Sequence, residues 1–502
     1  MSKMNFSKFQ MAIFNEVANG QGNLAINAVA GSGKTTTIVE CCKLLRLNKF
    51  DVKFLAFNKA IVQELETKIG NYADVSTLHS FGFAVLRKVN SKVKINNRKY
   101  INFIRESVDR NDKNFVAIVN NTNKLFNLCR VNLVQSGDMS SINAICDEHQ
   151  IVTMGNEMTI VNALLKDCYQ LDNVPAPEID FTDMLVLPLT YKRYIPSYKF
   201  VFIDECQDLN CAQRELMLYA ARRGRFVAVG DRNQAINGFA GADCNSFDKI
   251  ATLPNTKELP LSVNYRCGRA MIELAQQIVP AIQAHDGAIE GDVNRVTEIT
   301  LGLFQPNDMV LCRSTAPLVS MCFKLIQAGV TAIVKGRDIA EGLINLIDKS
   351  EAKTMKGFES YVEIEKQKLV KDICKKENCT AAEAEETGRY IAYMDRVNCI
   401  FAIGENVSKL ESVKEYINKI FSDENIVNAV TLSTAHKSKG LESNRVVILL
   451  PNKLPLTWKN QLDWQYQQER NLQYVAYTRA KKELVFVDVE QKDLFKLKFD
   501  NK

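Results

Sequence analysis

Two clusters of residues have the types and spacing to handle a polyphosphate. The first is Ala28-Val29-Ala30-Gly31-Ser32-Gly33-Lys34-Thr35-Thr36, a loop of the form [Ala/Gly]-x4-Gly-Lys-[Ser/Thr]. Gly31 and Gly33 let the backbone turn tightly enough for its N–H groups to face phosphate oxygens, and the positive end of a following helix adds to that field. Lys34 is long enough to reach the β and γ phosphates, and the Thr35 hydroxyl is a ligand for Mg²⁺. The second cluster is Asp204-Glu205, placed after the apolar run Phe200-Val-Phe-Ile203. Asp204 is placed to hold the Mg²⁺ shell and Glu205 to polarise an attacking water, the two carboxylate roles of phosphoryl-transfer chemistry. Upstream, Gln10 carries an amide that can donate to and accept from the edge of an adenine. Together these residues describe a site that binds and hydrolyses ATP.

The surrounding sequence predicts the elements that hold them. Leu24–Val29 reads as a buried strand entering the loop, and Ile38, Val39, Leu44 and Leu45 as the apolar side of the helix that leaves it. Further strands are predicted at Lys53–Phe57, from Val75, at Lys199–Ile203 and from Arg225, alternating with helices, the pattern of a parallel α/β sheet. A second α/β series has strands near Asp308–Cys312, Val430–Thr434, Val446–Leu450 and Glu483–Val487. Each series is interrupted by a polar stretch of helical period. The predicted organisation is a first sheet domain in two parts, 1–88 and 186–272, with a helical insertion at 89–185. A second sheet domain at 273–337 and 425–502 carries a shorter, strongly charged insertion at 338–424. The chain has 502 residues, 46% hydrophobic and 24% charged, with a net charge of +6, ordinary for a globular protein and compatible with a nucleic-acid partner. No apolar run has membrane-spanning length, and Met1-Ser-Lys-Met-Asn-Phe6 lacks the apolar core of a secretory leader. With fourteen cysteines but no C-x-x-C pair, and only four histidines, the expectation is a cytoplasmic protein with reduced thiols and no zinc site.

In this order the segments resemble the UvrD/Rep-type DNA helicases of superfamily 1A. Besides the loop, the likeness rests on Phe54–Leu65, Thr77-Leu-His79-Ser80, Asp180-Phe-Thr-Asp183, Asp204-Glu-Cys-Gln-Asp208, Gly230-Asp-Arg-Asn-Gln234, Asn264-Tyr265-Arg266, Thr434-Ala-His-Lys-Ser-Lys-Gly-Leu-Glu442 and Glu469-Arg-Asn-Leu-Gln-Tyr474-Val-Ala-Tyr-Thr-Arg479. The phrase Phe57-Asn-Lys-Ala-Ile61 is similar to the F-box helicase branch. The resemblance implies two RecA-like P-loop NTPase domains, each with a mainly helical insertion. It also implies roles. Gln234 senses the γ-phosphate, Tyr265 stacks on adenine and Glu442 binds the ribose, while Arg266 and Arg479 reach the γ-phosphate from the second α/β domain. Single-stranded DNA is met by Asn58, Thr77, His79, Phe239, Thr434 and His436.

The implied function is an ATP- and Mg²⁺-dependent 3′→5′ helicase or translocase acting on single-stranded DNA and single-strand/duplex junctions. The alternatives are a translocase that displaces proteins with little unwinding, and a non-catalytic ATP-gated DNA-binding protein. One departure stands out. Where the family usually has two aromatics and an arginine after Gln234, this chain has Asn237-Gly238-Phe239-Ala240, leaving one aromatic for base stacking. The chain ends soon after Arg479, which leaves no space for an appended nuclease domain in the expected organisation.

Overall fold

The computed structural model describes residues 6–151, 153–168, 171, 175–238, 241–405, 407–424, 426–497 and 499. The chain divides into two units, Met1–Ser262 and Val263–Lys502. The division falls ten residues before the expected 272/273 boundary, so Tyr265 and Arg266 belong to the second unit.

The first unit is built on a six-stranded parallel sheet. Its strands are β1 (Asn23–Ala28), β2 (Val52–Ala56), β3 (Asp74–Thr77), β6 (Phe200–Ile203), β7 (Arg225–Gly230) and β8 (Thr256–Leu261), in the order β3-β2-β6-β7-β1-β8. Alternate residues of β1 bury on opposite faces. Leu24, Ile26 and Ala28 join Ile13, Ile38 and Phe54 on one side, while Ala25 joins Leu55, Leu216 and Phe247 on the other. A sheet covered on both faces requires such continuous apolar strands. Between β3 and β6 the chain leaves and returns side by side through a parallel two-residue pair, β4 (Lys94–Ile95) and β5 (Glu178–Ile179). The helices Lys99–Ser107, Phe115–Val131, Met139–Glu148 and Glu157–Asp167 lie between them and bury a core of their own around Ile104, Leu125, Phe126, Ile142 and Val161.

The second unit opens with a short parallel pair, β9 (Val263–Asn264) and β10 (Gln283–Ala284). Its six-stranded parallel sheet comprises β11 (Asp292–Val296), β12 (Met309–Cys312), β13 (Ala332–Val334), β14 (Val430–Thr434), β15 (Ser443–Leu449) and β16 (Ala480–Val487), in the order β11-β16-β15-β12-β14-β13. Its helical segment, Met355–Glu377, Ala381–Glu385, Gly388–Gly404 and Leu410–Ile420, behaves differently from the first. Phe358, Val397, Ile400 and Ile417 are buried in the same cluster as Val310, Leu432 and Val447 of the sheet. Both units are RecA-like α/β layers. Among the described residues no helix is long and apolar enough to cross a membrane. All fourteen cysteines are free thiols.

Candidate nucleotide site and its surroundings

The carboxyl ends of the first sheet's strands carry the chemistry, as the geometry of a parallel α/β sheet favours. At the end of β1 the chain turns through Gly31 at φ +64° and Gly33 at φ +76° into the helix Lys34–Leu45. Both values lie in the left-handed region that only glycine adopts freely. Helix geometry leaves the first N–H groups of this helix without intrahelical acceptors. Ala28, Val29, Ala30 and Ser32 are buried, and the Ser32 hydroxyl has no hydrogen-bond partner. A buried orphan hydroxyl inside a glycine loop fits a ligand that supplies oxygen acceptors, as a polyphosphate does.

Lys34 Nζ lies 3.0 Å from Glu205 Oε1. Burial alone lowers an ammonium pKa, but the nearby carboxylates of Glu205, Asp231 and Asp204 outweigh it and hold Lys34 charged, above its ordinary value. The same crowding acts in reverse on the acids. Burial and the charge of Glu205 raise the pKa of Asp204, and burial raises that of Asp231, in each case against the attraction of Lys34. Thr35 Oγ1 stands 3.5 Å from Asp204 Oδ2. That hydroxyl and carboxylate supply part of an oxygen shell for a small divalent cation that takes its remaining ligands from phosphate and water. Among the described residues no group of three or more His, Cys, Asp or Glu side chains is arranged to hold a metal unaided. Glu205 sits at φ +52°, a left-handed conformation that costs a non-glycine residue about 1 kcal/mol or more. Gln234, in the 3-10 turn Arg232–Gln234 that follows β7, donates from Nε2 to Asp231 Oδ2 at 2.7 Å.

Gln10 lies beside the loop, where its Nε2 donates to Thr37 Oγ1 at 3.0 Å while its Oε1 accepts from Ser7 N at 2.9 Å in a helix capping box. One N–H and one lone pair remain for a base. Asn58 and Thr77 are both helix N-caps. Asn58 Oδ1 accepts from Ile61 N at 2.9 Å, and Thr77 Oγ1 accepts from Ser80 N at 3.0 Å. Their side chains therefore have structural duties that the sequence reading did not assign. His79 is half-buried, with its pKa lowered by burial, and meets the ring of Phe181 edge-on at 6.3 Å. Phe181 is 54% exposed and Phe57, at the end of β2, is 43% exposed. Neither was singled out as a DNA contact from the sequence, although Phe57 lies within the Phe54–Leu65 segment and Phe181 within Asp180-Phe-Thr-Asp183. Phe239 lies outside the described residues.

The second unit gathers another set. Arg266 Nε and Lys481 Nζ each approach a Glu442 carboxylate oxygen at 2.6 Å, and together they hold its pKa low against burial. Arg479 is buried, donating from Nε to Val475 O at 2.9 Å and from Nη1 to Leu441 O at 3.1 Å. Tyr265 is 41% exposed and stacks on His285 at 5.5 Å. Thr434 is buried at the end of β14, where its hydroxyl accepts from Lys437 N. Burial, with the charge of Arg313 adding repulsion, pushes the His436 pKa down to about 3.

Residues 10–254 match the UvrD/REP helicase N-terminal domain. The chain is similar to an ATP-dependent DNA helicase Rep of Buchnera aphidicola, 27% identical over 295 residues, which are 51% of this chain and 41% of that protein. It is also similar to F-box DNA helicase protein 1 of Schizosaccharomyces pombe, 24% identical over 513 residues, covering 93% of this chain and 55% of that one. A probable DNA helicase II homolog of Mycoplasma pneumoniae is 23% identical over 600 residues, covering 95% and 83%. The chain thus spans roughly half the length of the first two relatives. With a phosphate loop, an acidic pair and Gln234 following adjacent strands β1, β6 and β7, and with residues 10–254 matched, the first unit of the chain resembles the UvrD/REP helicase N-terminal domain.

Proposed function

We propose that this chain is an ATP- and Mg²⁺-dependent DNA helicase or translocase that moves 3′→5′ on single-stranded DNA and works at single-strand/duplex junctions. The observation that carries the reading is the Lys34–Glu205 pair, flanked by Asp204, Asp231 and Gln234 at the carboxyl ends of β1, β6 and β7. In this reading Lys34 and the loop N–H groups bind the phosphates, and Gln10 and Tyr265 hold the base. Glu442 takes the ribose, and Thr35 with Asp204 would hold Mg²⁺, which supplies charge neutralisation at the phosphates when bound. Glu205 accepts a proton from the attacking water, Gln234 senses the γ-phosphate, and Arg266 and Arg479 stabilise the charge that develops on it.

The neighbouring strands β2 and β3 support the DNA part. They are followed by Phe57 and, in the first turn of the next helix, His79, with Phe181 beside His79, so exposed aromatic surface and the phosphate loop lie past the carboxyl ends of strands of the same sheet. Stacking of single-strand bases on such rings is independent of sequence, which suits a translocating protein. Asn58, Thr77, Phe239, Thr434 and His436 complete the proposed DNA contacts. The test is ATP hydrolysis with and without single-stranded DNA, followed by unwinding of 3′-tailed and 5′-tailed duplexes. The expected result is DNA-stimulated hydrolysis and unwinding of the 3′-tailed substrate. Hydrolysis indifferent to DNA, or unwinding from the 5′ tail, overturns the assignment.

A further inference from the structure

Glu205 is held from both sides. Lys34 takes Oε1, while Gln207 Nε2 donates to Oε2 at 2.5 Å. Gln207 is 1% exposed, and its amide has two more bonds. Nε2 also reaches Asp208 Oδ2 at 3.2 Å, and Oε1 accepts the backbone N–H of Asp231 at 3.0 Å. Asp208 Oδ1 in turn accepts from Asn237 Nδ2 at 3.0 Å. Asn237–Asp208–Gln207–Glu205 is therefore an unbroken hydrogen-bonded path, with a side branch through Asp231 to Gln234. The packing leaves Gln207 no latitude. A Cβ on Gly230 would stand 2.5 Å from its Oε1 and 2.8 Å from Cys206 Sγ. Only an amide can join carboxylates to an N–H in this way, because a carboxylate at 207 would repel both Glu205 and Asp208.

We propose that Gln207 is a positioning residue which transmits the placement of the 235–238 segment to the Glu205 carboxylate, with Asn237 as the entry to the path. This rests on the reading of Glu205 as the general base. It is a property of this chain, because the path begins at an amide in the segment that departs from the family pattern. A shift of Asn237 when the neighbouring chain meets DNA would pull on Asp208 and Gln207 and so turn the carboxylate that must face the attacking water.

The test compares the complete chain with Asn237→Asp, Asn237→Ala and Gln207→Ala. Each is measured for hydrolysis of saturating ATP with and without an oligo-dT strand, for oligo-dT affinity, and for melting temperature. Asn237→Asp keeps the side-chain volume but turns the donor into a carboxylate that faces and repels Asp208, so a role in packing volume alone predicts wild-type behaviour. The path predicts that both Asn237 variants lose on the order of tenfold in the ratio of stimulated to basal rate, the worth of a hydrogen bond to a charged group, with oligo-dT affinity within about twofold. It also predicts that the Asn237→Ala/Gln207→Ala double variant is no worse than Gln207→Ala alone. A stimulation ratio unchanged in Asn237→Asp, or additive losses in the double variant, overturns the path. If the unsubstituted chain hydrolyses ATP without stimulation by oligo-dT, the reading of the site fails and the proposal fails with it.

Discussion

The ion pair of Lys34 and Glu205 sets two different expectations for two adjacent groups. Lys34→Ala removes the cation that faces the phosphates and leaves three acids crowded together, so nucleotide binding and turnover both fall. Glu205→Gln keeps the shape and loses the proton acceptor, so ATP still binds while turnover drops by about 10²–10⁴, the usual contribution of a general base. Equilibrium binding of a fluorescent ATP analogue and steady-state hydrolysis separate the two, and normal turnover in Glu205→Gln contradicts its role. His436 gives a pH dependence. Its pKa is near 3 in the folded chain against 6.5 for an ordinary imidazole, so the unfolded chain binds the extra proton first as pH falls. The stability linked to His436 is complete above about pH 6.5 and is lost as pH drops from there toward 3. Melting temperatures between pH 7.5 and 5 should therefore decline less steeply in His436→Gln than in the parent chain. The loop residues and the acidic pair could be picked out from residue type and strand position, and Gln234 only through the family resemblance. The engagement of Asn58 and Thr77 as caps, and of Glu442 with Lys481, was not legible, because it depends on which neighbours the fold delivers.

At the scale of elements, the sequence showed the continuous apolar strands and the edge strand β3, and missed the other three edges of the two large sheets. Β-strands β1, β2, β6 and β7 are continuous apolar runs and were read directly. By contrast β8, β11 and β13 are sheet edges. The run Thr256–Leu261 carries Lys257, Glu258 and Pro260, and Asp292–Val296 carries Asn294 and Arg295, residues that edges tolerate and that hide the strand signal. The first helical segment was read correctly as helical, but the device that ties it to the sheet unit was not visible. Arg130, fully buried, donates to Asp180 at 3.0 and 2.6 Å and to Asp183 at 2.9 Å, and its guanidinium lies 4.4 Å from the centroid of each of the Tyr100 and Phe126 rings. Tyr100 also donates to Asp183. This clamp joins the helices Lys99–Ser107 and Phe115–Val131 to the helix Asp183–Thr190, with Phe181 between the two clamped acids. Arg130→Met leaves Asp183 buried without its closest cation and should cost about 3–5 kcal/mol in urea unfolding. Adding Asp183→Asn should recover part of that loss, because the stranded charge is then gone. A cost below about 1 kcal/mol would show that the clamp is not what holds these helices.

The chain is two units, each with a six-stranded parallel sheet and core clusters drawn from its own residues. Every strand of the first sheet lies before Ser262, as do Gln10, the phosphate loop, Asp204, Glu205 and Gln234. Arg266, Arg479, Tyr265 and Glu442 all lie after it. The sequence showed two α/β series but placed the boundary at 272, because nothing in Val263-Asn264-Tyr265-Arg266 announces that β9 pairs with β10, or that Arg266 binds Glu442. The division puts the two arginines proposed to act on the γ-phosphate in a different unit from the phosphate loop and Glu205, and the consequence can be measured. Residues 1–262 produced alone should fold and melt cooperatively, since among the described residues every strand of that sheet and every member of the two clusters that cover it precedes Ser262. They should bind ATP through the loop, seen as a rise in melting temperature with nucleotide. Hydrolysis should be slower than in the complete chain by about 10³-fold or more, the contribution of arginines acting on the transferring phosphoryl group. Arg266→Ala and Arg479→Ala in the complete chain should each lower kcat while leaving nucleotide affinity within a few-fold. If residues 1–262 hydrolyse ATP at the rate of the complete chain, the two arginines have no part in the chemistry, and the second unit acts only on DNA.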